Sequence, residues 1–440
     1  MIKKLSSSYI KIFLIISYIT CWLSVSTNFD DLTLIIKIPN FTINEIINFL
    51  RQFLNVFIFP ILIIIFLSRL NEISFKNDLI FFLSFFYIIF QIPGLFIYEN
   101  SYKNMVYVIS SLNVIFIFIL VNLYFKKNEY LVFIKITFLM LILILSLNYR
   151  VFVSFFLVEN NNVFYTFIDY DYGLGKIGPR STGSSRSWLL LFILSNFIFI
   201  KFFSKQRKIK ICLYVFCATV ILLSQSRTMI FILSLFIFLN YFYEKKFNQI
   251  GFFKYFFHYV GYPLLALLLI LLLKTNIYVK KDNLSTAIKN NNPAIIIKNF
   301  KRPIDPQTIS SGRLKDWETI LNLVKQSVIF GFGSQGDRFL INQSASNGLI
   351  YALSSSGIIG LFFFITLSIY CFWLVIRKLS TNFLKTLNYE DYYGSVVILI
   401  LLARSVLESS YAVFGVDWII FYTFINYLYK FKFVDDNGIK

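Results

Sequence analysis

Arginine placement is the chemical signal in this chain. Lysine fills one alternate set of connections between long apolar runs, whereas Arg180, Arg186, Arg227, Arg302, Arg313, Arg338 and Arg404 fall in or beside the other set. A planar guanidinium fork suits bidentate binding of phosphate, which an ammonium group binds only as a point charge. Arg227 closes the short connection Ser224-Gln225-Ser226-Arg227, which places its side chain at a membrane interface. Arg404 stands inside an apolar run with Glu408 four residues on. An unpaired charge in lipid costs on the order of 3 kcal/mol, so this Arg and Glu are functional candidates. The bland alternative is an i,i+4 ion pair that neutralises itself on one helix face.

Other reactive chemistry is sparse. His258 is the single histidine and reads as structural, so neither a Ser-His-Asp arrangement nor a His-based metal site is available. The four cysteines all lie in apolar runs without Cys-x-x-Cys spacing. Asp169 and Asp171 could hold a divalent ion, but two carboxylates in a Tyr-rich loop are a weak signal, and a metal-free site is expected. Gly331-Phe332-Gly333-Ser334-Gln335-Gly336 spells a dinucleotide fingerprint without a βαβ unit or a following acidic residue. It reads instead as a tight turn, with anion binding by its N–H groups as the functional alternative. Glu408 and Asp337 are the carboxylates available as a general base, and Arg338, Ser346 and Asn347 are polar groups suited to hydrogen-bonding a polar substrate.

These residues must be positioned by membrane helices. The chain is 58% hydrophobic, 20% aromatic and only 15% charged over 440 residues. Twelve apolar runs, at about 8–26, 47–68, 79–98, 104–124, 131–149, 187–203, 209–224, 228–243, 255–273, 348–376, 393–411 and 413–430, are each expected to cross the bilayer as a helix. The fold class expected is an all-α polytopic integral membrane protein forming one domain. Lys3 and Lys4 precede a first run with no small-residue cleavage site, which predicts a retained helix. The alternate positions of the lysines predict cytoplasmic N- and C-termini. The formal charge of +20 therefore speaks of topology and anionic lipid, and excludes nucleic acid as the expected partner.

Two long connections, about 151–187 and 274–347, fall on the opposite face, as suits a protein acting on an extracytoplasmic substrate. In the second, Trp317, Ile320, Leu321, Val324 and Val328 recur at helical spacing after a Ser310 or Ser311 cap. That pattern predicts a short amphipathic helix lying flat with its apolar stripe toward the membrane.

In order along the chain, Arg180-Ser181-Thr182-Gly183, Ser224-Gln225-Ser226-Arg227, Ser311-Gly312-Arg313 with Trp317, Ile329-Phe330-Gly331-Phe332-Gly333, Ser346-Asn347-Gly348-Leu349-Ile350-Tyr351 and Gly357-Ile358-Ile359-Gly360 resemble the O-antigen polymerase and ligase superfamily. The resemblance implies an inner-membrane glycosyltransferase that acts at the periplasmic face, uses undecaprenyl-diphosphate-linked glycans as donor and acceptor, needs no cofactor and works with a chain-length regulator protein. The ligase branch carries His-Asn where this chain has Ser346-Asn347, which favours the polymerase (Wzy) branch. On this reading Arg227, Arg313, Arg404 and Arg180 or Arg186 hold the diphosphate, with fixed guanidinium charge replacing a metal ion. The rivals are the ligase itself and, from another class, a lipid-linked-oligosaccharide flippase, which would show broken helices and short loops on both faces.

Overall fold

Backbone polar groups in lipid must be satisfied within their own segment, so long apolar runs become helices. The computed structural model describes residues 7–25, 43–73, 78–98, 102–147, 181–202, 207–223, 227–248, 251–269, 313–341, 344–384 and 389–430, and these residues contain helices and turns with no strand. In order the helices are α1 (Ser7–Val25), α2 (Ile43–Ser68), α3 (Leu79–Ile89), α4 (Ile92–Ile97), α5 (Tyr102–Tyr124), α6 (Lys127–Leu147), α7 (Ser181–Phe202), α8 (Arg207–Leu223), α9 (Arg227–Asn248), α10 (Phe252–Phe256), α11 (Arg313–Val324), α12 (Gly336–Ile341), α13 (Gly348–Leu384), α14 (Tyr389–Leu407) and α15 (Val416–Lys430). A π-helical turn, Phe257–Gly261, carries α10 onward and contains His258.

Each of the twelve apolar runs overlaps one of these helices, the run from 79 taking in α3 and α4 and the run from 255 taking in the end of α10, the π-helical turn and helical residues 262–269. Among the described residues, seven stretches are long and apolar enough to cross a membrane: Ser7–Val25, Leu79–Ile97, Asn104–Tyr124, Lys127–Ser146, Thr228–Lys245, Phe252–Leu269 and Gly348–Ser380. Phe53–Ser68 of α2 and Arg186–Phe199 of α7 are shorter apolar stretches, α8 and α15 have 17 and 15 residues, and α14 is more charged, with Glu390, Asp391 and Arg404 together.

The chain divides into two compact units. The first comprises Met1–Asn148, Ile193–Ser204 and Ile320–Lys440, and the second Tyr149–Phe192 and Lys205–Thr319. In the first, α13 packs on α3 and α14, α2 on α5, and α15 on α14. Apolar side chains gain little from leaving lipid for a neighbouring helix, so close packing and interhelical hydrogen bonds must hold such a bundle. Tyr18 of α1 shares its hydroxyl with Thr137 of α6 at 2.6 Å and Thr423 of α15 at 2.7 Å. Tyr87 of α3 donates to the Ala412 carbonyl at 2.8 Å. Tyr411 stacks on Phe421 with ring centres 4.3 Å apart and lies 5.3 Å from Phe364 of α13. In the second unit Trp188 meets Phe216 edge-on at 5.2 Å, and Tyr255 donates to the Ile237 carbonyl at 2.8 Å.

Three expectations change in detail. The helix expected from 187 begins at Ser181, so the Ser-Thr-Gly of the first motif forms its opening turn. The amphipathic helix ends at Val324, and its apolar residues divide: Ile320 and Val324 are buried, whereas Leu321 and Val328 are exposed. The run expected as one span at 348–376 is longer and breaks at Gly357, whose φ of 63° and ψ of −165° no helix contains.

Candidate functional site

The corner between α14 and α15 holds a buried cluster of three charged side chains. Arg404, in the last turn of α14, is 1% exposed. Its Nη2 donates to Glu408 Oε2 at 3.1 Å and its Nη1 to Asp417 Oδ1 at 2.9 Å. The i,i+4 partner was legible in the sequence, but Asp417 was not. Its one signal was a carboxylate in the otherwise apolar segment Val416-Asp417-Trp418-Ile419. Helix ends favour two of the three charges, since Arg404 lies near the C-terminal end of α14 and Asp417 in the first turn of α15. Glu408 follows the negative end of α14, so it depends on the guanidinium beside it.

The turn between the helices is fixed by the same groups. Ser410 adopts φ of 35°, unusual for a residue with a side chain. Its hydroxyl lies within hydrogen-bond reach of Asp417 Oδ2 at 3.0 Å and of the Leu401 carbonyl at 3.2 Å. Ser409 reaches Ser344 across 3.1 Å between hydroxyls. Asn347 donates through Nδ2 to the Val406 carbonyl at 2.8 Å, while its Oδ1 accepts the Leu349 and Ile350 N–H groups at 2.9 and 3.1 Å. Asn347 thus caps α13 and clamps it to α14 at once. Ser346, beside it, is held at φ of 51°. The 344–347 segment is therefore bound to the corner that carries Glu408.

Asp337, in α12, supports the other side of this segment. It is 1% exposed, and its two carboxylate oxygens accept the N–H groups of Ala345 at 2.7 Å and Arg338 at 2.8 Å. Burial pushes its carboxyl above the ordinary range, against the pull of those two N–H groups. Arg338 itself is exposed.

The glycine turn fills the break in α13. The Phe332 and Gly333 N–H groups donate to the Ser354 and Ser355 carbonyls at 2.7 and 3.0 Å, and the Ile358 N–H returns a bond to the Val328 carbonyl at 2.8 Å. A side chain on Gly357 would collide with the Ile329 carbonyl. Three more N–H groups of the turn are engaged, Gly331 on Ser327, Gln335 on the Tyr351 hydroxyl and Gly336 on Gly333. This corrects the anion-binding alternative, because the donors such a nest needs already serve the protein. It also gives the broken helix a closed form, with non-helical backbone satisfied by protein.

In the second unit, Arg313 opens α11 and is partly exposed. Arg186 lies in α7, also partly exposed, and Arg227 opens α9. Arg180, Arg302, Asp169, Asp171 and Ser224 to Ser226 lie outside the described residues, as do the Arg227 side chain and residues 270–312. Within the first unit the structure brings Asp337, Ser346, Asn347, Arg404 and Glu408 into one hydrogen-bonded neighbourhood.

Residues 212–365 match the family model described as O-Antigen ligase. The match covers about a third of the chain and is to the superfamily that the ordered motifs resemble, while the long apolar helices suit a multi-pass membrane protein. No curated protein and no solved structure matches the chain.

Proposed function

We propose that the chain is a member of the O-antigen polymerase and ligase superfamily and polymerises undecaprenyl-diphosphate-linked oligosaccharide repeat units into O-antigen or a related surface polysaccharide. The reaction takes place at the periplasmic face of the bacterial inner membrane, without metal or other cofactor, in a chain whose termini are cytoplasmic and whose twelve apolar runs all cross. One observation carries the choice of polymerase: Ser346 stands where the ligase branch of the resembled superfamily carries histidine, inside the matched region.

The chemistry follows from the residues. An acceptor sugar hydroxyl attacks the anomeric carbon of the donor and forms the new C–O bond. The bond to the lipid diphosphate breaks, and the diphosphate leaves with the electron pair. Arg227, Arg313 and Arg180 or Arg186 hold that leaving group, because fixed guanidinium charge stabilises the negative charge developing there. Glu408 takes the hydroxyl proton, with Arg404 fixing its carboxylate at 3.1 Å. Arg404 is engaged by two carboxylates, so here it orients the base, and the diphosphate falls to the other arginines. Asp337, Arg338, Ser346 and Asn347 shape the segment that meets the glycan, and a chain-length regulator protein acts alongside.

A strain lacking the protein, with the other pathway enzymes intact, is expected to show lipid A-core bearing a single repeat and no ladder. Absence of the single-repeat band refutes the polymerase. The description of the matched model favours a second reading as a ligase, for which deletion leaves carrier-linked polymer unattached. Single units left facing the cytoplasm would indicate the flippase, to which the break at Gly357 is the one structural pointer.

A further inference from the structure

We infer that Asp417 is a positioning residue for the proposed transfer: it fixes Arg404 and the Ser409-Ser410 turn, and through them sets Glu408 against the Ser344–Asn347 segment. The inference rests on the polymerase reading of the same site and adds to it a residue with no other assigned role.

Three features carry it. First, Asp417 uses its two oxygens for two different tasks, Oδ1 for Arg404 Nη1 at 2.9 Å and Oδ2 for the Ser410 hydroxyl at 3.0 Å. It therefore joins the ion pair to the turn rather than serving either alone. Second, that turn is held in a costly shape, with Ser410 at φ of 35°. A side-chain-bearing residue keeps such a backbone only where its surroundings fix it, and the Asp417 and Leu401 oxygens do so here. Third, both outputs of the clamp reach the segment thought to meet the glycan. Ser409 contacts Ser344 at 3.1 Å, and Asn347 holds the Val406 carbonyl at 2.8 Å, two residues before Glu408.

Charge explains why a carboxylate is needed. A guanidinium bound only by Glu408 retains one side without a fixed partner and can turn about its stem. Asp417 occupies that side, so Arg404 presents Nη2 to Glu408 in one orientation. A base held in one place matters because a displacement of about 1 Å costs on the order of 100-fold in rate.

The test uses the full-length protein purified in detergent and, as substrate, lipid-linked repeat units extracted from cells lacking it. Ladder formation is measured as kcat and KM for Asp417→Asn, Asp417→Ala, Ser410→Ala and Glu408→Gln, beside the melting temperature of each. Asp417→Asn keeps an acceptor for Ser410 but loses the charge, and is expected to lower kcat about 10-fold with KM within about twofold. Asp417→Ala is expected to lose about 100-fold in kcat, the cost of a misplaced base. If the Asp417 variants fail to accumulate, Ser410→Ala leaves all three charges in place and is expected to lose several-fold in kcat. Wild-type kcat in Asp417→Asn, or in Ser410→Ala where only that variant folds, overturns the inference while an inactive Glu408→Gln leaves the polymerase site standing. A loss that disappears when kcat is expressed per folded molecule also overturns it, reducing Asp417 to scaffolding. Full activity in Glu408→Gln instead refutes the base assignment itself.

Discussion

The two ends of α14 carry charge in opposite ways. At its start, Glu390 pairs with Lys201 and accepts the Tyr427 hydroxyl, and Asp391 meets Lys378 at 3.0 Å. Each carboxylate there has its own lysine, and the Lys201 side chain is 43% exposed. At the other end one arginine serves two carboxylates, and the three side chains are 1%, 4% and 11% exposed. The Lys378 and Asp391 side chains are 11% and 18% exposed, so the ends differ less in burial than in pairing, one lysine to each carboxylate against one arginine to two. A buried cluster gains little net stability over apolar replacements, so a chain that keeps one has another use for it. Under the proposed function, the lysine end serves topology and the arginine end serves chemistry on a single helix.

Several changes would break or sharpen that contrast. Arg404→Met, which leaves two carboxylates buried without a counter-charge, is expected to cost about 3–5 kcal/mol and to abolish the ladder, read by thermal unfolding and by gel. Gly357→Ala forces a side chain into the Ile329 carbonyl at a backbone angle suited to glycine. It is expected to cost about 1–3 kcal/mol or more, and to lower the amount of folded protein. Asn347→Ala removes a cap and a clamp together. A loss of about 1–2 kcal/mol is expected, with a fall in ladder length, and Asn347→Asp should recover the cap but not the bond to Val406. Lys201→Met at the opposite end, where the lysine is 43% exposed and Glu390 keeps the Tyr427 hydroxyl, is expected to change stability by about 1 kcal/mol and leave the ladder intact. If the lysine-end change abolishes polymer while Arg404→Met does not, the two ends have been assigned the wrong way round.

Asp337 adds a pH dependence near the arginine end. Its folded-state affinity for a proton exceeds that of the unfolded chain, so its contribution to stability is greatest in acid and declines as pH rises through the folded-state value. In melts across the carboxylate range, Asp337→Asn is expected to flatten that decline, losing one N–H acceptor at every pH. An unchanged slope would mean that the carboxyl ionises equally well folded and unfolded.

Helix positions were legible in the sequence because a run of apolar residues has one structural outcome in lipid. The Arg404–Glu408 pair was legible for a similar reason, since four residues make one helical turn. Asp417 escaped because its approach depends on the turn at Ser410, whose positive φ no pattern announces. The glycine turn was recognised as a turn but not as a plug. Its function depends on the Ser354 and Ser355 carbonyls, which a helix would have used itself had Gly357 not interrupted it. The split stripe of α11 was hidden too, because periodicity names the apolar face of a helix without saying how much of it is covered.

Tyr18 and Thr423 have a consequence for biogenesis. These partners lie 405 residues apart, so α1 is made and inserted long before α15 exists. Until then the Tyr18 hydroxyl and the Asp417 partner site on Arg404 must wait in the bilayer with provisional partners, such as lipid headgroups, water or a chaperone of the insertion machinery. Termination between Glu408 and Asp417 would leave Tyr18 without Thr423 and Arg404 with Glu408 as its one carboxylate, and membrane proteases that sense polar groups in lipid would find the truncated chain by those unfilled places.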